Sequence, residues 1–338
     1  MLIRSRAPLR ISFAGGGTDV SPYVEEHGGA VMCTTIDQYA YVSLQSRDDD
    51  RFRIWDMDDD LKVSGHVGNV LAYDGRHDLA KSVIKRLGIN QGFDLSLHSD
   101  APWGSGLGSS STHIVAVLGA FALQLGLKLT NNDLAEMAYD LERKDIGQAG
   151  GRQDQYAAAF GGINFIEFGV DESVVSRVDA GADVQLELHY RLLLCFLGRT
   201  RNSANILEDQ ISRYTARDSS SVSALHRTKE LAYEMKNALL GGEIDQMGEI
   251  MHEGWEQKRQ FSELISDSHI DEVYEGALRH GAIGGKVLGA GGGGHMLLLC
   301  APDGKFRLTK HLTERGITCV GFAFEPNGLT AWEVAGGG

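Results

Sequence analysis

The stretch Pro102-Trp103-Gly104-Ser105-Gly106-Leu107-Gly108-Ser109-Ser110-Ser111-Thr112 constrains the fold of this chain more than any other. It follows the alternating apolar segment Phe93-Asp94-Leu95-Ser96-Leu97 and precedes a long apolar run from Ile114 to Leu125. Alternation of period two predicts a strand and the long run predicts a buried helix, so the stretch is a strand-to-helix turn. Its glycines let the backbone come close to a ligand. Its serines place hydroxyls where the helix begins, and a helix N-terminus presents free N–H groups and a positive dipole end. An anion such as phosphate is the matching guest. The Lys of the G-x-x-x-x-G-K-[ST] loop is missing, so backbone, hydroxyl and metal must hold that anion.

At 338 residues the chain exceeds what one core usually holds, which predicts two domains. The acidic, Gly- and Ala-containing segment 171–183 marks the boundary, giving an N-terminal domain 1–178 and a C-terminal domain 179–338. Against 46 Asp and Glu stand 32 Lys and Arg, and the net charge of −14 argues against nucleic acid or an anionic membrane as partner. No run is long enough to span a bilayer, and Met1-Leu2-Ile3-Arg4 does not begin a signal peptide. Cys33, Cys195, Cys300 and Cys319 lie in apolar segments without C-x-x-C spacing and read as buried free thiols of a cytoplasmic protein.

Leu9 to Phe13 reads as a strand running into Gly15-Gly16-Gly17-Thr18-Asp19. Val31 to Ile36 and Tyr39 to Leu44 read as two strands that pair. The acidic triplets Asp48–Asp50 and Asp58–Asp60 read as solvated turns around a short strand. Helical periodicity covers Leu79 to Leu87, a segment capped by Asn132 or Asp133, and Arg152 to Phe160. The second half reads as a strand from Leu186 to Leu197 and four helical stretches between Asn205 and His280. A strand His295 to Cys300, a helix Phe306 to Glu314 and a strand Thr318 to Phe324 follow. This order predicts an α+β domain.

Gly289 to Gly294 fits the dinucleotide pattern G-x-G-x-x-G, which needs a strand before it and a helix after it. Here a helical segment precedes and a strand follows, so a nicotinamide-dependent dehydrogenase is disfavoured. Close backbone approach to a ligand or to another loop is the better reading. Glu142 and Asp154 flank a glycine break. Each alone reads as an exposed helix residue, but beside a phosphate loop one carboxylate completes a Mg²⁺ site and the other accepts or orients a hydroxyl proton.

Three motifs carry a resemblance: Ala7-Pro8-Leu9-Arg10 leading to Gly16-Gly17-Thr18-Asp19, Pro102-x-x-x-Gly106-Leu107-Gly108-Ser109-Ser110, and Lys286-x-x-Gly289-Ala290-Gly291-Gly292-Gly293-Gly294. In this order they resemble the GHMP small-molecule kinases, which include galactokinase, homoserine kinase, mevalonate kinase and phosphomevalonate kinase. Gly151-Arg152-Gln153-Asp154-Gln155 is similar to the family's G-x-x-D-Q segment. The resemblance implies an α+β, two-domain fold: an N-terminal α/β domain with a left-handed β-α-β unit, a ferredoxin-like C-terminal domain, and an active site in the cleft between them. That handedness runs against the general rule for such units and could not be read from periodicity.

It implies ATP held by Pro102, Gly104, Ser105, Gly106, Leu107, Gly108, Ser109, Ser110 and Ser111. It implies Mg²⁺ held by Ser110 and Glu142, with Ser109 and Ser111 as alternatives of register. Asp154 takes or orients the proton of the attacking hydroxyl, and Arg10 stabilises the transferring phosphoryl group or acidifies that hydroxyl. Pro8 to Asp19, Leu197 to Arg201 and Trp255 to Arg259 resemble the sugar kinases that phosphorylate an anomeric hydroxyl, first among them those acting on a heptose 7-phosphate for surface-glycan synthesis. The implied partner is a small-molecule sugar phosphate, without nucleic acid or membrane, and a homodimer is left open. Thr18, Asp19, Gly16, Gly17, Gly291 and Gly292 are candidates to face the sugar, and Arg152, Arg199, Arg201, Lys258 and Arg259 to hold its phosphate. A free-sugar 1-kinase and a non-catalytic relative that binds ATP and sugar are the alternatives.

Overall fold

The computed structural model describes residues 1–69, 72–170, 172–199 and 203–335. The first half runs β1 (Leu2–Ala14), α1 (Tyr23–His27), β2 (Gly29–Ser46), β3 (Arg51–Asp56), β4 (Lys62–His66), α2 (Asp78–Leu87) and β5 (Phe93–Ser99). It continues with α3 (Ser109–Gln124), α4 (Asn131–Asp140), a π-helical turn (Leu141–Asp145), α5 (Gln153–Phe160), β6 (Ile163–Phe168) and β7 (Ser173–Arg177). The second half runs α6 (Ala182–Arg191), β8 (Leu192–Phe196), α7 (Ser203–Thr215), α8 (Ser219–Gly241), α9 (Ile244–Lys258) and α10 (Ser268–Arg279). It ends with β9 (Ala282–Val287), β10 (His295–Cys300), α11 (Lys305–Glu314), β11 (Thr318–Val320) and β12 (Thr330–Glu333).

Two sheets organise the chain. The larger has the order β12-β1-β2-β5-β3-β4, with β6 also on β2 and β7 on β6. Within it β3 and β5 are parallel, joined through β4 and α2. The smaller is antiparallel with order β11-β8-β10-β9. Renumbered along the second half, that order is 4-1-3-2, the ferredoxin-like arrangement the resemblance implies. Helix α3 is apolar on all sides because it is enclosed: Ile114, Val115, Val117, Leu118 and Phe121 are buried in one core with Val42, Leu44 and Leu95 of the larger sheet. The core of the second half forms between the smaller sheet and α8 to α11, around Leu225, Trp255, Tyr274, Met296 and Leu298.

Several elements differ from the sequence reading. The two segments around Ile36 do not pair with each other; they form one strand, β2, which carries β6 on its first part and β5 on its last. No Gly or Pro turn separates them, and an irregularity between Pro8 and Arg10 on β1 absorbs the change of register. Residues 186–191 belong to α6, not to a strand. Gln185, Leu186, Glu187 and Leu188 favour helix intrinsically, and only Leu188 of the apolar pair must be buried. Thr130, rather than Asn132 or Asp133, caps α4: its side chain accepts from the Asp133 N–H while the Asp133 carboxylate accepts from the Thr130 N–H, a reciprocal capping box. β9, not a helix, precedes the loop at 289–294, so that loop joins two antiparallel strands. The dinucleotide reading still fails, because β10 follows. The last strand, β12, returns to pair with β1.

Candidate active site

The glycine-serine loop lies between β5 and α3. Gly104, Gly106 and Gly108 all have positive φ, and a Cβ on Gly106 would lie 2.8 Å from the carbonyl oxygen of Leu288. Backbone conformation and crowding both demand glycine there. The crowding comes from the third glycine loop: a Cβ on Gly289 would lie 2.8 Å from Gly106 Cα, and His295 N–H donates to Ser105 O at 2.9 Å. The expectation that this loop approaches another loop is met by these contacts.

The loops that follow β1, β5 and β9, with residues of several other segments, close around a cleft of about 780 Å³. Gly104, Ser105, Gly106, Gly108, Ser109, Ser110 and Ser111 line it. Pro102 and Leu107 do not: Pro102 accepts from Ser105 N–H, and Leu107 is buried in the core with its carbonyl accepting from Arg10 N–H. Trp103 lines the cleft, stacked on His113 with centroids 4.9 Å apart, whereas Tyr23 packs with Tyr214 and His226 elsewhere.

Arg10, on β1, is 3% exposed, and its Nε donates to Asp154 Oδ1 at 2.7 Å. Its Nη1 donates to Gly106 O at 2.5 Å, tying the ion pair to the loop. Asp154 sits in the first turn of α5 and faces Gly108. Burial pushes its pKa up, but the Arg10 charge and hydrogen bond, with a further bond from Gln153, outweigh it and leave the carboxyl below the usual range. Asp154 is therefore ionised at neutral pH.

Glu142 lies on the π-helical turn, a bulge that aims the carboxylate at the start of α3. It is buried and accepts from Ser110 Oγ at 3.0 Å, Ser111 Oγ at 2.7 Å and Gln155 Nε2 at 2.7 Å, with Arg143 Nη1 3.2 Å away. A buried carboxylate beside serine hydroxyls is an all-oxygen donor set, the type Mg²⁺ takes. Among the described residues no three His, Cys, Asp or Glu side chains converge to hold a metal unaided. The oxygen donors of Glu142 and the serines would leave the rest of such an ion's shell to phosphate oxygens and water.

The substrate candidates divide. Gly16, Gly17, Asp19 and Lys258 line the cleft. Asp19 accepts from the N–H groups of Gly17, Arg152 and Gln153, so it also holds the start of α5. Thr18 is fully buried, and its hydroxyl donates to Gly15 O at 2.8 Å, so it braces the loop instead of facing the cleft. Arg152 turns away to Gly169 O, Glu25 and the Tyr139 ring. Arg199 pairs with Asp267, and Arg259 with Glu256 and Asp271. Gly292 donates to Ile265 O, and Gly291 packs on Ile265. None of these last five residues lines the cleft, and Arg201 lies outside the described residues. Lys258 is buried, donating to Val287 O at 3.1 Å and Gly289 O at 2.5 Å.

Among the cleft residues not singled out from the sequence as site residues are Ser12, on β1, and Lys286. Lys286, on β9, is buried beside Lys258 and Arg10. Its place at the head of the Lys286-x-x-Gly289 motif was the available signal, but nothing in the sequence says that its side chain reaches loop 15–19.

Two sheets, the ferredoxin-like order and a glycine-serine loop feeding a helix define a small-molecule kinase architecture. Residues 77–162 match the description "GHMP kinases N terminal domain", and residues 232–311 match "GHMP kinases C terminal". Over 338 aligned residues the chain is 35% identical to D-glycero-alpha-D-manno-heptose 7-phosphate kinase of Campylobacter jejuni, covering 98% of this chain and 99% of that protein. It is 30% identical to the bifunctional fucokinase/GDP-fucose pyrophosphorylase of Arabidopsis thaliana, over 90% of this chain and 31% of that protein. A crystal structure of a D-glycero-D-manno-heptose 1-phosphate kinase from Bacteroides thetaiotaomicron superposes with a TM-score of 0.83 at 32% identity, covering 98% and 99% of the two chains. The chain belongs to the GHMP kinase family, and it is a kinase. No helix among the described residues is long and apolar enough to cross a membrane.

Proposed function

We propose that this kinase transfers the γ-phosphoryl group of ATP to the anomeric C1 hydroxyl of a sugar phosphate, converting D-glycero-D-manno-heptose 7-phosphate to the 1,7-bisphosphate. The observation that carries the reading is the Arg10–Asp154 pair, tied at 2.7 Å and anchored to the nucleotide loop through Gly106 O. The two relatives named for heptose phosphates, each matched over almost the whole chain, support the substrate class.

The triphosphate lies along Gly104 to Ser111 against the free N–H groups of α3. Ser110 and Glu142 would hold Mg²⁺, which when bound offsets charge on the phosphate oxygens. Asp154, ionised and fixed by Arg10, accepts a hydrogen bond from the C1 hydroxyl and points its oxygen at the phosphorus. Its depressed pKa makes it a weak base, so it orients the hydroxyl early and takes the proton only as the new O–P bond forms. In a loose phosphoryl-transfer transition state that timing suffices. Arg10 is aligned to meet charge on the transferring group when Asp154 turns to the hydroxyl, and positioning then supplies most of the rate. Asp19 and the Gly16–Gly17 backbone face the sugar. The proposed boundary at residue 178 is supported by β7, which ends at Arg177 before α6 begins, although β12 crosses back from the second half to join the larger sheet on β1.

The test is incubation with Mg·ATP and a panel of sugars and sugar phosphates, with the product position read by phosphorus NMR. A new anomeric phosphate on the heptose 7-phosphate supports the reading. Phosphorylation at another carbon, or of free sugars alone, overturns it.

A further inference from the structure

Of the cations nominated for the acceptor's phosphate, Arg152, Arg199 and Arg259 are paired outside the cleft, and Lys258 is tied to two carbonyls. Lys286 differs. It is 5% exposed, it lines the cleft, and its ammonium group has no hydrogen-bond or ion-pair partner among the described residues. Ser12, 3% exposed on β1 and also lining the cleft, has a buried hydroxyl without a hydrogen-bond partner among the described residues. The two groups converge. A methyl group on Gly16 would lie 3.6 Å from Ser12 Oγ and 4.0 Å from Lys286 Nζ. Gly16 has no left-handed φ, so space rather than backbone conformation is what its missing side chain provides.

Unpaired buried donors are costly, and two of them around one open volume call for an acceptor-rich guest. We propose that Lys286 and Ser12, over the Gly16 backbone, form the seat for the phosphate that the acceptor already carries. This rests on the sugar-phosphate reading above and names the cation that reading lacked. The seat lies against the loop that carries Asp19. Burial, and then the charge of Arg10, lower the Lys286 pKa to about 8, with Asp19 opposing. Lys258, at the end of α9, stands beside it, and burial and then the charges of Lys286 and Arg10 push its own pKa well down, so Lys286 carries the charge of the seat. The seat is thus cationic at neutral pH and loses charge above pH 8, and a bound dianion restores the proton.

The experiment has two arms. With the nucleotide loop filled by Mg²⁺ and a non-hydrolysable ATP analogue, inorganic phosphate is titrated calorimetrically into wild type, Lys286→Met, Lys286→Arg and Ser12→Ala. Lys286→Met is expected to bind about 10–100-fold more weakly, as for loss of a charged hydrogen bond. Lys286→Arg retains most of the affinity, and wild-type affinity falls above pH 8. Unchanged affinity in Lys286→Met overturns the seat whatever the sugar. In the second arm, the preference in kcat/KM for heptose 7-phosphate over unphosphorylated heptose is compared between wild type and Lys286→Met. The preference is expected to collapse, and a preference kept in the variant overturns the seat while leaving the kinase reading intact. A wild type without any preference, but with Lys286-dependent phosphate binding, overturns the heptose-phosphate reading and leaves the seat standing.

Discussion

Replacing Lys286 by Met should stabilise the fold and damage the enzyme, and the stability gain should depend on pH in a calculable way. Met has a similar length, so packing against Gly16 is kept while the buried charge is removed. A lysine whose pKa is about 8 in the folded protein and 10.5 when unfolded releases protons on folding. The sign follows from linkage: between those values the unfolded chain binds more protons, so stability rises with pH across that window. Below pH 8 the charged lysine penalises the fold by about 3 kcal/mol, at about 1.4 kcal/mol per pKa unit. At pH 10 most of that penalty is gone, leaving under about 1 kcal/mol. Urea unfolding of wild type and Lys286→Met at pH 7 and pH 10 measures the difference of differences, which cancels every other titrating group common to both. The expected result is a variant more stable by about 3 kcal/mol at pH 7 and nearly equal to wild type at pH 10. A pH-independent difference would refute the claim that Lys286 is folded into the cleft as a strained, unpartnered cation.

Three further outcomes are expected. Asp154→Asn should lower kcat by about 10²–10⁴ with little change in ATP binding, measured by coupled ADP release; a near-wild-type kcat removes Asp154 from the chemistry. Because Arg10 holds the Asp154 pKa below the usual carboxylate range, the active anion is lost only as pH falls through that lowered value, so kcat/KM should show no acid limb between about pH 5 and 7; a limb inside that window assigns the essential carboxylate elsewhere. Gly106→Ala places a methyl 2.8 Å from Leu288 O at a φ of +81°, so the nucleotide and third loops must separate. ATP affinity, followed by equilibrium binding, should fall by about tenfold or more, given a backbone penalty of 1–2 kcal/mol; unchanged affinity means that the loop contact is dispensable.

The loop of the candidate site was legible in the sequence. Serines at a helix start and glycines at alternate positions announce an anion loop because the backbone physics is local. The nearness of Glu142 to Ser110 was readable only through the family resemblance, since their bond spans 32 residues of chain. The roles of the cations were not legible. By residue type Arg152 and Arg199 match Arg10, which only the family motif set apart, and packing decides that Arg10 meets Asp154 while Arg152 turns to Tyr139 and Arg199 to Asp267. Thr18 was misplaced for a similar reason: loop 15–19 closes on Ala30, and its hydroxyl is drawn into the turn.

The sequence alone determined the glycine-serine anion loop, the two-part α+β organisation and the order of the three glycine motifs, because each depends on periodicity, turn chemistry or local spacing. The tertiary structure decided which charges share the cleft. Ion pairing and burial are set by residues far apart in the chain: Arg10 and Asp154 are separated by 144 positions, and Gly16 and Lys286 stand at opposite ends of the molecule's sequence. A charge acquires its function from its dielectric surroundings and its partners, and both exist only once the two sheets have closed around the loop at 102–112.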